Sequence, residues 1–243
     1  MTPVLELRRV SKVHGEGAAA VQALTDVDLA VQPGEMVAVM GPSGSGKSTL
    51  LTIAGSLEQP TSGEVLVEGA ALAGLSAAGR ARLRRRHVGY VFQDYNLLPG
   101  LTAAENVSLP LELDGLPARK AAAEARRALD ELGLADRAGS YPDELSGGQR
   151  QRVAIGRALV GRRRLLLADE PSGALDTRTG EGVMRLLRNA CQHGAAAVLA
   201  THDAQLAAWA DRVVFVRDGV VVDRSGPAPG PESLLATGSE PPR

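Results

Sequence analysis

A glycine-rich segment, "GPSGSGKS" at residues 41–48, constrains the fold of this chain more than any other feature. It matches the pattern G-x-x-x-x-G-K-[ST] at every specified position, and the apolar run "MVAVM" precedes it. In this pattern the glycines let backbone N–H groups close around phosphates, Lys47 supplies a point charge to the β and γ oxygens, and the Ser48 hydroxyl can ligate Mg²⁺. The segment therefore predicts a buried strand, a phosphate-binding loop and a helix, in that order, with a nucleotide bound at the loop.

The alternative for this segment is a flexible turn that meets the pattern by chance. The strand pattern before it and the helix pattern "GKSTLLTIAGSL" after it argue against chance, because the mechanics of the loop require both. We therefore predict that the whole loop binds the nucleotide, through Gly41, Pro42, Ser43, Gly44, Ser45, Gly46, Lys47, Ser48 and Thr49.

A second apolar run, "LLLADE" at residues 165–170, ends in two carboxylates. A phosphate-binding loop needs a metal partner and a water activator before it can hydrolyse its nucleotide. At the end of a strand, Asp169 is placed to hold Mg²⁺, and Glu170 is placed to orient or deprotonate the attacking water. The alternative is a buried strand with an acidic cap to the next turn.

The composition excludes several classes of protein. The chain has 243 residues, enough for one domain with an inserted lobe, and its formal net charge of −1 gives no global attraction to nucleic acid or to an anionic membrane. Aromatic residues make up 2% of the chain, which argues against a base-stacking surface, so we expect no nucleic-acid partner. The single Cys191 excludes an internal disulfide. With no secretory signal and no apolar run near the roughly 20 residues of a spanning helix, we expect a cytoplasmic protein.

Short apolar runs alternate with helical patterns, which predicts an α/β fold with a parallel sheet. Strand-like pieces joined by glycine and proline predict a small antiparallel sheet from residues 4–10, 27–31 and 63–69. The region 93–159 has helical character, with the small or apolar residues of 117–134 on one face, and predicts an inserted helical lobe. Strand patterns then resume, and the Pro-, Gly- and Ser-rich residues 227–243 predict a flexible tail.

Five elements stand in a characteristic order: "GPSGSGKST", "VFQ", "LSGGQ", "LLLADE" followed by "SGALD", and "THD". This order resembles the nucleotide-binding subunits of ATP-binding cassette (ABC) transporters over residues 4–224. The resemblance implies a P-loop NTPase (RecA-like) core with a small antiparallel β subdomain and an inserted helical lobe. Residues 1–226 would form a single ATPase domain, with the core in 1–92 and 160–226 and the lobe in 93–159. It also implies hydrolysis of ATP with Mg²⁺ as cofactor.

The resemblance assigns roles to two further polar residues near strand ends. Gln93 would reach Mg²⁺ and water and report the γ-phosphate to the helical lobe, and Mg²⁺ would thus be held by Ser48, Gln93 and Asp169. His202, as a neutral imidazole, would contact the γ-phosphate and hold Glu170 and the water in line. The alternatives are an ordinary polar residue at a strand-to-loop junction and a surface histidine.

The segment "LSGGQ" at residues 145–149 has two interpretations. Ser146 followed by Gln149 is a capping-box pattern, so it can simply begin a helix. Gly147 and Gly148 cost that helix roughly 1 kcal/mol each relative to Ala, which is understandable where bare backbone approaches an anion. The resemblance implies a head-to-tail dimer in which Ser146, Gly147, Gly148 and Gln149 cap the ATP of a second copy, with Asp176 of "SGALD" at the dimer seam.

His14 occupies the position where this family usually offers an aromatic ring to adenine. An imidazole can stack with less area than tyrosine, so the resemblance predicts weak discrimination between bases; the alternative is that His14 is loop surface. Leu97, Leu98 and Leu101 line either a groove for a partner helix or the core of the lobe. Basic clusters at 80–86 and 161–164 are solvated faces or lie near acidic lipid head groups.

The resemblance narrows to the ATPases of lipoprotein-release, macrolide-export and cell-division systems. It implies an ATP-binding subunit at the cytoplasmic face of the cell membrane, driving a separate integral membrane permease, with export of a lipoprotein- or antibiotic-type cargo. Two alternatives stay open. One is an FtsE-like regulatory ATPase that signals through a membrane partner, and the other is a non-transport ABC ATPase working on DNA or ribosomes.

Overall fold

A computed structural model describes residues 2–161, 163–171 and 177–225 of the chain. Within these ranges, ten strands form two sheets. The strands are β1 (Leu5–His14), β2 (Val21–Val31), β3 (Met36–Met40), β4 (Ser62–Val67), β5 (Ala70–Ala71), β6 (Val88–Val91), β7 (Leu165–Asp169), β8 (Ala196–Ala200), β9 (Arg212–Arg217) and β10 (Val220–Ser225). The helices are α1 (Lys47–Ala54), α2 (Ala77–His87), α3 (Ala103–Leu113), α4 (Ala118–Glu131), α5 (Gly147–Leu159), α6 (Thr177–Gln192) and α7 (Ala204–Ala207).

The larger sheet has the strand order β10-β9-β3-β8-β7-β6. Five of its strands run parallel, and β10 pairs antiparallel with β9 at one edge. The strands β7 and β8 are buried at every residue, as expected of parallel strands covered by helices on both faces. This continuous burial explains why their sequences are unbroken apolar runs rather than alternating ones.

The smaller sheet is antiparallel, with the order β2-β1-β4-β5, which confirms the prediction made from the first strand-like pieces. Helix α1 lies between the two sheets: its Leu50 and Leu51 pack in one core with Leu7 of β1 and Leu167 of β7. On the opposite face of the larger sheet, Ile155 of α5 and Met184 of α6 share a second core with strand residues. Helix α1, which follows the glycine-rich loop, is therefore fixed on both sides.

Three helices, α3 to α5, stand between β6 and β7 and share a third core that includes Val107, Leu129 and Val153. The face predicted for residues 117–134 is the buried one, with Ala121, Ala125 and Leu129 at its centre. Pro117 is the residue before the first turn of α4 rather than part of it. The division into a core and a lobe at 93–159 stays a prediction, and the predicted tail at 227–243 lies outside the described residues.

Two sequence expectations need correction or addition. The apolar run "VGYVF" before Gln93 predicts a strand that continues to Gln93, but β6 ends at Val91 and Gln93 lies in the turn that follows. The basic cluster at 80–86 lies in α2, where Leu83 is the buried residue. Arg84 donates to the Ser56 carbonyl at 2.7 Å, and Asp114 accepts from Arg86 at 2.7 Å, so the cluster is partly tied to the fold. Over the described part of the chain, no helix combines the length and the apolarity needed to cross a membrane.

Candidate functional site

The carboxyl ends of four neighbouring parallel strands, β3, β8, β7 and β6, meet at one edge of the larger sheet. Loops that follow these ends converge because parallel strands present the same end to the same edge, which is where open α/β sheets bind ligands. A cleft of about 530 Å³ lies there. It is lined by Ser43, Gly44, Lys47, Ser48, Gln93, Asp94, Tyr95, Asp169, Glu170 and His202.

The glycine-rich loop can close tightly only with glycine at two of its positions. Gly46 has φ 104°, and a Cβ atom built on it would lie 2.4 Å from the Ala23 carbonyl oxygen. A Cβ on Gly41 would lie 2.1 Å from the Val216 carbonyl oxygen. Both distances are shorter than any real Cβ contact, so a side chain at either position would displace the loop from β2 or β9.

Lys47 begins α1, and its ammonium group is held at the centre of the loop. Its Nζ donates to the carbonyl oxygens of Gly41 at 2.8 Å and Pro42 at 3.0 Å, and the residue is 8% exposed. The Oγ of Ser45 is buried in the same loop with no hydrogen-bond partner among the described atoms. A buried cation and an unsatisfied hydroxyl beside a glycine cradle fit a phosphate group.

Asp169 ends β7, and its carboxyl lies near enough to the side chain of Ser48 for that hydroxyl to lower its pKa. Burial raises the pKa of the Asp169 carboxyl, and the neighbouring Glu170 carboxylate adds to that rise, while Ser48 and the Lys47 charge oppose it. A hydroxyl and a carboxylate side by side are hard oxygen ligands of the kind that Mg²⁺ prefers. The Ser48–Asp169 pair therefore fits the predicted metal site, and a bound cation would relieve the cost of the buried charge.

The Glu170 carboxylate is fixed from the end of β8. Its Oε1 accepts from the His202 backbone N–H at 3.1 Å and faces His202 Nδ1 at 2.7 Å, and its Oε2 accepts from Thr201 Oγ1 at 3.2 Å. The Glu170 backbone has φ 46°, a left-handed conformation that is uncommon outside glycine and that concentrates at functional sites. These contacts hold the carboxylate at the edge of the sheet, where Glu170 lines the cleft.

His202 is the most exposed member of this group, with 76% of its side chain accessible. A neutral imidazole that donates its Nδ1 proton to Glu170 carries no proton on Nε2, which is then an acceptor. A hydrogen bond from Nε2 to a phosphate oxygen therefore requires either the imidazolium form or release of Glu170. A neutral His202 can therefore donate to a phosphate oxygen, as expected from the sequence, only after its hydrogen bond to Glu170 has broken.

The comparisons with known proteins agree with this geometry. The family profile described as ABC transporter matches residues 24–173. The chain belongs to the ABC transporter family. Among curated relatives, the macrolide export ATP-binding/permease protein MacB of Rhodopseudomonas palustris (strain HaA2) is 48% identical over 240 residues, which is 98% of this chain and 36% of that protein. MacB 1 of Escherichia coli O1:K1 / APEC is 46% identical over 242 residues, 100% of this chain and 37% of that protein.

The ABC chain thus spans about a third of the length of these curated relatives. Two solved structures of MJ0796 are also similar. One, described as a dimeric post-hydrolysis state bound to ADP and Pi, has a TM-score of 0.88 and 40% identity over 91% of this chain and 98% of that chain. The other, described as a dimeric bacterial ABC transporter cassette, has a TM-score of 0.87 with the same identity and coverage.

The LSGGQ turn of this ABC chain, residues 145–149, is not among the residues that line the cleft. Ser146 Oγ accepts from the Gln149 N–H at 3.3 Å, and the Ser146 N–H donates to Gln149 Oε1 at 2.8 Å, so the capping box exists and begins α5. Gly147 faces the Tyr95 hydroxyl, which would lie 3.3 Å from a Cβ on that glycine. Within one chain, the glycine-rich loop and the LSGGQ turn are separate features.

His14 lies at the end of β1 and does not line the cleft either. Its Nδ1 is 3.4 Å from Glu58 Oε1, and the same oxygen is 2.8 Å from Lys12 Nζ. Its role toward a nucleotide base stays a prediction. Asp176, predicted at the dimer seam, falls outside the described residues.

Sequence reasoning missed two polar residues that support the site. Thr201 is fully buried, and its hydroxyl both donates to Glu170 and accepts from the Asp203 N–H at 3.1 Å. Gln151 of α5 is 1% exposed and donates to the carbonyl oxygen of Pro171, the residue after Glu170, at 2.7 Å. No local signal marks either residue: Gln151 stands between two arginines and Thr201 at the end of an apolar strand, and both act through contacts with a distant part of the chain.

Proposed function

We propose that this chain binds ATP in the cleft, hydrolyses it in a head-to-tail dimer of two copies, and thereby drives a membrane permease. One observation carries the proposal: the cleft brings together a phosphate cradle, the exposed Ser48 hydroxyl beside the buried Asp169 carboxylate, and an oriented glutamate, while the LSGGQ turn is not among the residues that line it. A site with these components can bind and activate a phosphate group, and the turn of a second copy would add further donors to it.

In this proposal the loop amides and Lys47 bind the β and γ phosphates. Ser48 and Asp169 would hold Mg²⁺ together with Gln93, and the ion supplies neutralisation of the phosphate charge when bound. Glu170 accepts a proton from water or orients that water toward the γ-phosphorus, since its carboxylate is held by the Thr201 hydroxyl and the His202 backbone N–H. His202, which reaches the cleft from β8, contacts the γ-phosphate after its bond to Glu170 opens.

The two MJ0796 structures are described as dimers, one of them with ADP and Pi, and this chain is 40% identical to them. We propose the same association here, with Ser146, Gly147, Gly148 and Gln149 of one copy capping the ATP of the other. Ser146 is exposed at the N-terminus of α5, where the helix dipole and free N–H groups favour an anion. Two such sites form together, so ATP stabilises the dimer and its hydrolysis releases it. Asp176 would couple the two sites at the seam.

A groove on the same subunit supports a permease partner. It has a volume of about 400 Å³ and apolar walls that include Tyr90, Phe92 and Leu109. Leu57 and Leu113, which also line it, are 46% and 59% exposed, so they extend its apolar walls onto the surface. Four arginines also line it: Arg84, Arg85, Arg157 and Arg163. We propose that it receives an amphipathic helix of the permease that carries acidic residues.

The leucines first considered for this groove lie differently. Leu97 packs against the core shared by α3 to α5, and Leu98 and Leu101 are not among the residues that line the groove. The curated relatives are named macrolide export ATP-binding/permease proteins, and we propose that this chain likewise serves an exporter, at the cytoplasmic face of a membrane.

The decisive test of the proposed function uses Glu170→Gln. This variant should bind ATP without hydrolysing it and accumulate as a dimer of about twice the 25.2 kDa chain mass in light scattering with MgATP. Glu124→Gln, an exposed glutamate on α4 that pairs with Arg127, is the matched control and should keep turnover. A Glu170→Gln chain that stays monomeric in saturating MgATP, or that keeps full turnover, contradicts the proposal.

A further inference from the structure

The loop at residues 93–96 lies between the nucleotide cleft and the apolar groove and contributes residues to both. Gln93, Asp94 and Tyr95 line the nucleotide cleft, whereas Asn96 lines the apolar groove. One short segment therefore contacts both the site of hydrolysis and the surface proposed for the permease. Whatever holds this segment in shape controls the position of Gln93.

The loop has an uncommon backbone conformation. Tyr95 and Asn96 have φ 59° and 50°, so two consecutive residues other than glycine adopt the left-handed conformation. Inside the loop, the Tyr95 N–H donates to the Phe92 carbonyl at 3.2 Å and the Asn96 N–H to the Asp94 carbonyl at 2.5 Å. Such conformations persist where surrounding structure imposes them, which points to a restraint from outside the loop.

Arg157 of α5 provides that restraint. Its Nη2 donates to the Tyr95 carbonyl at 2.8 Å and its Nη1 to the Asn96 carbonyl at 2.5 Å. The planar guanidinium can hold two adjacent carbonyls at once, which a lysine ammonium cannot do with the same geometry. Burial lowers the pKa of this group, and among the described residues no carboxylate pairs with it. Its hydrogen bonds are thus directed to the loop backbone rather than to an ion pair.

The other end of the same helix also contacts the loop. The guanidinium of Arg150 lies 5.5 Å from the centre of the Tyr95 ring, and the Tyr95 hydroxyl faces Gly147 in the LSGGQ turn. Helix α5 therefore carries the LSGGQ turn at its start and contacts the 93–96 loop through Arg150 and Arg157. In the folded subunit these contacts leave the turn and the loop little freedom to move separately.

We propose that Arg157 is a positioning residue that holds the 93–96 loop in its left-handed conformation, so that Gln93 and the LSGGQ turn keep a fixed relative position. The groove lies against the same arginine, so a helix bound there would act on the cleft through Arg157 and Asn96. The expected effect of Arg157 on ATP turnover rests on the proposed function, whereas its expected effect on the conformation of the loop does not.

The structural consequence is measured by hydrogen exchange of the full chain. Arg157→Met removes both hydrogen bonds and should raise amide exchange in the peptide spanning 93–98 at least about 10-fold, with the strands of the larger sheet unchanged. Arg157→Lys keeps the charge and one contact and should give an intermediate increase. The matched control is Arg152→Met, which removes an α5 arginine that donates to the Leu132 carbonyl at 3.0 Å. Unchanged exchange at 93–98, or an equal increase with the control, overturns the proposal.

The kinetic consequence is measured by a double-mutant cycle with Gln93→Ala. If Arg157 acts through Gln93, Arg157→Met lowers kcat for ATP about 10-fold with KM within about twofold, and adding it to Gln93→Ala lowers kcat little further. Rate losses that multiply overturn the coupling, because they indicate two independent effects. A wild-type chain without ATPase activity instead refutes the proposed function, and the exchange result then decides on Arg157 alone.

Discussion

Removing the hydroxyl of Thr201 tests whether Glu170 must be held in place to act. Thr201 follows β8 and is fully buried, with its hydroxyl donating to Glu170 Oε2 at 3.2 Å. Thr201→Val keeps the shape of the side chain and removes this bond. Among the residues that the structure describes, Glu170 then keeps the two contacts to His202, both on its other oxygen. The carboxylate can rotate, and the attacking water loses its fixed acceptor.

The size of the effect follows from the type of bond. A hydrogen bond to a charged group contributes about 1.5–3 kcal/mol, and each 1.36 kcal/mol of lost transition-state stabilisation is tenfold in rate. Thr201→Val should therefore lower kcat for ATP about 10- to 150-fold. The KM for ATP should change less than about twofold, because Thr201 is not among the residues that line the cleft.

The assay is steady-state phosphate release, with Tm measured in parallel because the Asp203 N–H also loses its acceptor. Thr201→Ser should restore most of the rate. Ser108→Ala is the matched control: it removes a buried hydroxyl that donates to Glu112 Oε1 at 2.6 Å on α3, and should lower Tm without lowering kcat. A normal kcat in Thr201→Val, or a change in KM alone, refutes the reasoning.

Three further predictions follow from individual contacts. Asp169→Asn should abolish turnover yet raise the free energy of unfolding near neutral pH, because the raised pKa of Asp169 shows that its buried charge is unfavourable. Urea titrations should show that this gain vanishes as the pH falls toward the ordinary aspartate pKa of 3.8. A loss of stability at neutral pH contradicts the prediction. Gly46→Ala should weaken ATP binding, measured by calorimetry, because its Cβ would lie 2.4 Å from the Ala23 carbonyl; unchanged affinity would show that the loop can move aside. Wild-type chain should turn over GTP or CTP at a sizeable fraction of the ATP rate, and His14→Tyr should sharpen the preference for ATP in a competition assay; strict ATP preference of the wild type contradicts the role given to His14.

The sequence was sufficient to predict those site residues whose chemical motif stands directly beside a recognisable strand or helix pattern. The glycine-rich loop follows an apolar strand in the sequence and in the structure, and Asp169 ends a strand in both. The small antiparallel sheet was predictable because its strands are separated by glycine and proline turns. Helix α2 was not, because its one buried apolar residue, Leu83, leaves no periodic apolar face to recognise.

The supporting residues could not be predicted, because their roles depend on contacts between distant parts of the chain. Thr201 meets Glu170 across 31 residues, and Arg157 meets Asn96 across 61. Neither distance leaves a pattern in one sequence. The end of β6 was misplaced for a related reason: Phe92 continues the apolar run, but it lies after the end of β6, in the segment that leads to Tyr95 and Asn96, whose left-handed backbone Arg157 holds from outside.

The central claim is that each active site is built from two copies of the chain, and mixing two inactive variants tests it most directly. Lys47→Ala removes the positive charge that would bind the phosphates. Ser146→Asp keeps a good helix cap but places a negative charge where the partner's γ-phosphate would lie. A mixed dimer has one site with both Lys47 and Ser146 intact. An equal mixture should therefore recover measurable turnover, up to about a quarter of the wild-type ATPase rate if the two sites act independently, although each variant alone has none. A mixture as inactive as its components, or an active Ser146→Asp chain, contradicts the shared site.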